Sequence, residues 1–155
     1  MLSWPPPRLS AWLRAGLLSC SACLGCGEDV LRLGAGPEPA TVGRVDNILL
    51  REAATGALLG DLADGVALSI AALASPQVSL EAVVSGPVAS VEFVVDGKAN
   101  VEVVVPFTYP GDTNGVLNGF AAAVGAHAVA ATPFSLEGAK GERGATVTRS
   151  FTFVE

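Results

Sequence analysis

Beyond about residue 42, apolar residues alternate with small or polar ones in short runs, and each run stops at Gly, Pro, Asp or Asn before a helix could develop. A period of two sends successive side chains to opposite faces, which suits a strand with one side in a core, and no window sustains a helical period. Candidate strands are Asp46 to Arg51, Val66 to Leu73, Val78 to Val84, Ser90 to Asp96, Ala99 to Val105, His127 to Thr132 and Val147 to Val154. An all-β fold follows, an antiparallel β-sandwich of about seven strands. Ala67 to Ala74 has the composition for two helical turns instead, but its short length and Pro76 favour a strand.

The alternation also assigns faces. In Val78 to Val84, Val78, Leu80, Ala82 and Val84 point inward, and Ser79 and Glu81 point to solvent. In the last strand Phe151 and Phe153 share the inner face, with Ser150 and Thr152 outside. Around Asp96-Gly97, a two-residue turn would set Phe93 against Asn100 and Val91 against Glu102, apolar against polar. A loop of odd length sets valine against valine or phenylalanine, so an odd loop is expected, with Gly97 relieving the bend and Glu92 and Glu102 outside.

The 155 residues give room for one domain with a short appendage. Half are hydrophobic and 15% are charged, which excludes a disordered or coiled-coil chain. The net charge of −6 has the wrong sign for neutralising phosphates, and no basic cluster offsets it, so nucleic acid is excluded as a main partner.

The first 25 residues differ from the rest. Arg8 and Arg14 precede the apolar run Ala15 to Leu24, and no acid occurs before Glu28, which is the profile of a signal peptide. The run is about half the ~20 residues a membrane span needs. All three cysteines, Cys20, Cys23 and Cys26, lie here. Leu24-Gly25-Cys26 followed by Gly27-Glu28-Asp29 resembles the bacterial lipobox, in which a peptidase cuts before a cysteine that then carries lipid. The resemblance implies lipidation at Cys26, attachment to a membrane through that anchor, and a place in the bacterial cell envelope. Gly27, where some lipoproteins carry a retention Asp, favours the outer membrane. Cys23 stands where the family has Leu, and Leu17-Leu18-Ser19-Cys20 is a competing site with a shorter apolar run. Cleavage near Ala22 or Gly25 without lipidation gives a secreted protein instead. Three thiols within seven residues, with no fourth ligand nearby, make a poor zinc site.

Removing residues 1–25 takes two arginines and no acid, so the net charge falls from −6 to −8. The remainder has no disulfide, although an exported protein occupies an oxidising compartment. Residues 26–42, rich in Gly, Pro and Ala, read as a flexible linker, and residues 43–155 as the sandwich domain. Within that domain VEFVVDGK (Val91 to Lys98), PFTYPGDTNG (Pro106 to Gly115) and GAHAVAATPFSLEG (Gly125 to Gly138) resemble, in order, the motifs of bacterial immunoglobulin-like modules. Phe120 stands near the end of the Asn-rich loop, where relatives tend to carry an aromatic. The resemblance covers about Val42 to Val154 and implies an immunoglobulin-like sandwich with a non-catalytic role in a secreted or surface protein.

Chemistry is sparse. His127 is the one histidine, and it lies in a strand with no Ser or Asp placed to advertise a triad, so it reads as a partly buried residue bonding a neighbouring loop. Asp112 and Asn114 begin a segment like a calcium loop, but no second carboxylate follows, which favours an Asx-stabilised turn; Asp61, Asp64 and Glu81 are the acids that could contribute from elsewhere in the fold. Tyr109 with Phe107 or Phe120 is the one candidate aromatic platform for a sugar, although packing in the core or a loop is the favoured role. No phosphate loop, thiol nucleophile or cofactor motif occurs, so no catalytic residue and no cofactor are assigned. The sequence thus points to a non-catalytic envelope lipoprotein acting as a binding or adhesion module for protein or glycan, with Tyr109, Phe120, Asp112 and Asn114 as contact candidates. The alternative is a structural spacer or a remnant accessory module of a polysaccharide-acting enzyme.

Overall fold

The computed structural model describes residues 41–155. The leader, Cys26 and most of the expected linker lie outside the described residues. Among those described there are thirteen strands and one 3₁₀ turn. In chain order the strands are β1 (Arg44–Glu52), β2 (Leu58–Asp61), β3 (Val66–Ser69), β4 (Gln77–Ser85), β5 (Ser90–Val95), β6 (Lys98–Glu102), β7 (Phe107–Tyr109), β8 (Asp112–Thr113), β9 (Val116–Leu117), β10 (Phe120–Ala121), β11 (Gly125–Leu136), β12 (Lys140–Arg143) and β13 (Val147–Val154).

Two sheets pack face to face. One runs β10-β4-β1-β2, with β7 also pairing β4; the other runs β3-β13-β11-β5-β6, with β12 on the end of β11. Pairing is antiparallel except between β3 and β13. The core lies between the sheets: Ile48, Leu50, Val78 and Leu80 from one meet Val91, Phe93, Val129, Phe151 and Phe153 from the other, all buried. The fold is therefore an all-β sandwich whose core needs no disulfide, as the period-two pattern requires. No helix among the described residues is long and apolar enough to cross a membrane.

The six strands beyond the expected seven are short. They arise where loops such as Asp112 to Ala121 fold back on themselves or pair with β1, β4 or β11. The segment expected to run as a strand to Leu73 leaves the sheet at Ser69 and closes a 3₁₀ turn, Ile70–Ala72, because β3 pairs β13 only from Val66 to Ser69.

Two expectations about faces need correction. The β5–β6 connection is a two-residue turn, pairing Val95 with Lys98, Phe93 with Asn100 and Val91 with Glu102. Asp96 and Gly97 both take positive φ, +49° and +79°, the combination whose twist matches the flanking strands. The odd loop would require a buried inner face on β6, whereas β6 ends its sheet. Asn100 and Glu102 are only half-buried, Lys98 is exposed, and the apolar Ala99 and Val101 point outward. The expected strand Ala99 to Val105 also stops at Glu102, whose carboxylate accepts from the Val103 and Val104 amides.

The second correction concerns Ser79, expected at the surface but fully buried. It shares the outer face of β4 with Glu81, and its hydroxyl donates to the Tyr109 carbonyl at 2.9 Å. Glu81, half-buried on the same face, is paired with Arg51 of β1. Gly115 and Leu117 of the β8–β9 hairpin line a recess with these two side chains, so solvent is partly screened from that face.

Candidate functional site

Tyr109 ends β7, which pairs β4 by its edge, and this register turns the phenol ring inward. It is 8% exposed, with its ring centroid 6.2 Å from Phe93 and 5.6 Å from Phe120, the latter edge to face. Burial, and then the charge of Asp96, raise its pKa above the usual phenol value. Tyr109 and Phe120 are brought together, but as part of the core, and present no flat aromatic surface to a sugar.

Asp112 and Asn114 lie elsewhere, in the exposed β8–β9 hairpin. Asn114 and Gly115 form its turn with φ of +55° and +79°, and Asp112 Oδ1 accepts the Gly115 amide at 2.8 Å. This is an Asx-stabilised turn, with one Asp112 oxygen engaged by backbone. Of the other acids, Asp64 is held by the amide and hydroxyl of Ser150, which lower its pKa, and Glu81 by Arg51. Among the described residues, no three His, Cys, Asp or Glu side chains gather as metal ligands.

His127 sits near the start of β11 at the mouth of the core, with its ring stacked on Phe151 and edge-on to Phe153, both at 5.4 Å. Nδ1 faces Asp96 Oδ2 at 2.7 Å, and Nε2 faces the Ala123 carbonyl at 2.8 Å. Asp96 Oδ1 also accepts the Ala128 amide at 2.9 Å. Burial lowers the His127 pKa, but the bonds to Asp96 and Ala123 and the Asp96 charge outweigh it, and the net shift is upward. Burial likewise raises Asp96, and the hydrogen bonds from His127 and Ala128, with nearby positive charge, bring it below the usual carboxylate value. Both imidazole nitrogens are thus committed to holding the β5–β6 turn and the chain before β11. Sequence spacing could not reveal this pair: the two residues are 31 positions apart and meet only because β11 lies beside β5.

A recess of about 240 Å³ lies between β2 and β3 and is lined by Leu59, Leu62, Ala67, Leu68 and Leu73 among others. Neither His127 nor any of the four contact candidates lines it.

The surface feature that stands apart is the free side of β6 and the segment that follows. Val101 is 37% exposed, Val103 41%, Val104 58% and Val105 72%. Since β6 closes its sheet and pairs only with β5, this apolar run borders an unpaired strand edge. Sequence reasoning missed it by setting Val101 and Val103 opposite the inward Phe93 and Val91. The signal was the Asp96-Gly97 dipeptide, the favoured pair for a two-residue turn, which alone fixes the register that turns Val101 outward. No family model, curated protein or solved structure matches the chain.

Proposed function

We propose that this is a non-catalytic bacterial envelope protein, exported and lipid-anchored through Cys26, whose immunoglobulin-like sandwich works by contact with a protein partner. The immunoglobulin-like reading is supported by strand order. β13, β11 and β5 sit side by side in one sheet, β1, β4 and β7 in the other, and β3 runs parallel to β13. The anchor and the outer membrane are supported by the leader sequence alone.

The observation that carries the contact role is the exposed run Val101 to Val105 beside the open β6 edge. Exposed apolar surface next to unpaired backbone suits a protein partner, which can supply both a covering side chain and a strand. A glycan has less support, because Tyr109 is buried and Asp112 is engaged within its own turn.

Pull-down from envelope extract with the intact protein tests the role, run beside a Val104→Lys/Val105→Lys variant and a glycan array. The expected result is a captured protein lost in the variant, with no array signal. A positive array, or identical capture by both forms, overturns the protein-contact reading. Palmitate incorporation and the intact mass test the anchor, which fails if the mature chain carries no lipid at Cys26.

A further inference from the structure

Two features of β6 combine. In a two-residue hairpin the flanking residues Val95 and Lys98 exchange both backbone bonds, so Lys98, Asn100 and Glu102 turn their amides and carbonyls toward β5. Ala99 and Val101 therefore direct theirs to the open side, where among the described residues no backbone partner meets them. A strand arriving there antiparallel must align its own outward-directed residues with these two.

We infer that the arriving strand is β6 of a second copy, paired antiparallel about a two-fold axis through Asn100. This rests on the contact reading above and names its partner. In that register Ala99 faces Val101 of the other copy and Val101 faces its Ala99, which gives four backbone hydrogen bonds with correct polarity. Lys98 falls opposite Glu102, and Glu102 opposite Lys98, as non-hydrogen-bonded pairs whose side chains lie close. Shifting the register by two residues either way keeps the backbone polarity but separates the charges, setting Lys98 against Asn100 or Asn100 against Glu102. A shift of one residue loses the backbone match. The interface is isologous, with one short segment complementary to itself. Charges on an edge strand normally discourage pairing; here their order turns away other strands and admits a copy.

The outer faces of the joined strands carry Ala99 and Val101 from both copies and extend the apolar strip toward Val103 to Val105. A contact built on five-residue strands falls below the ~1,600 Å² of a standard interface, so the dimer is weak and concentration-dependent.

Sedimentation of the full chain over a concentration series, in reductant so that Cys20, Cys23 and Cys26 do not cross-link, tests this. The wild type should dimerise. Lys98→Glu should weaken the dimer about tenfold or more, and Glu102→Lys likewise. The double exchange Lys98→Glu/Glu102→Lys should recover it, which a merely structural role for Glu102 at the strand end would not allow. Val101→Pro removes an amide that β5 does not use, so it should leave the circular dichroism unchanged and abolish dimerisation. A monomer at every concentration, or a dimer indifferent to Val101→Pro, overturns the inference. In the first case, valine-dependent capture of an envelope protein would leave the contact role standing.

Discussion

His127 Nδ1 lies 2.7 Å from Asp96 Oδ2 while its Nε2 lies 2.8 Å from the Ala123 carbonyl, so the ring is gripped by two groups that only accept. Both bonds form together only when both nitrogens carry protons, that is, when the ring is an imidazolium. The structure thereby ties the β5–β6 turn to the chain before β11 through a titratable clasp, with Phe151 and Phe153 as its apolar walls.

The His127 pKa is raised in the folded state, so its stabilising contribution is complete below the usual 6.5 and is lost as pH rises through the folded value. Asp96 is lowered, so its contribution holds above the usual 3.8 and is lost as pH falls through the folded value. The clasp is strongest between those two ordinary values. Nuclear magnetic resonance titration should place the imidazole above 6.5 in the wild type and lower it in Asp96→Asn. His127→Gln should cost about 1 kcal/mol at mildly acidic pH, with the gap to wild type narrowing as pH rises through the raised His127 value. A gap that widens with pH would reject the imidazolium assignment.

Phe93 is fully buried and touches the Tyr109 ring, which in turn meets Phe120. Phe93→Ala opens a cavity at the centre of both sheets and should cost about 3–5 kcal/mol. A domain of this size holds about 5–15 kcal/mol in all. The variant should therefore show a large drop in urea midpoint.

How much of this was legible in the sequence depends on whether an element had two neighbours. β1, β5 and β13 lie inside their sheets, their alternation reports burial directly, and Phe151 and Phe153 face the core as the pattern requires. At the periphery the pattern loses that meaning. Val101 is as apolar as Val91, yet one is exposed and the other fully buried, because burial is decided by what the opposite sheet covers. Even inside a sheet, Ser79 of β4 errs in the opposite sense, since the β8–β9 hairpin helps to screen a face that alternation assigns to water. Among the candidate site residues, the Asp112 turn was readable because its bonds are local. The Asp96–His127 pair was not, since it depends on long-range strand pairing.

Gly97 gives a test of the corrected turn. Its φ of +79° is left-handed, and a Cβ placed there meets nothing within 4 Å, so Gly97→Ala is opposed by backbone conformation alone. The expected cost is about 1 kcal/mol with an unchanged denaturant slope. An odd-numbered loop would instead tolerate alanine wherever residue 97 had negative φ, and the midpoint would then not fall.

Thr108 and Ser79 give opposite outcomes for the removal of a hydroxyl, although both are fully buried on strands that pair with each other. Ser79 Oγ donates to the Tyr109 carbonyl, whereas Thr108 Oγ1 has no protein partner. Ser79→Ala forfeits a bond made in a water-poor environment and should destabilise by about 1 kcal/mol. Thr108→Val replaces an orphaned hydroxyl with a methyl of nearly the same shape, keeps the β-branch that suits a strand, and should stabilise by about 1 kcal/mol. Urea denaturation of both variants beside the wild type checks the contrast. Equal destabilisation by the two would mean that Thr108 Oγ1 is hydrogen-bonded in solution, with a water supplying the bond.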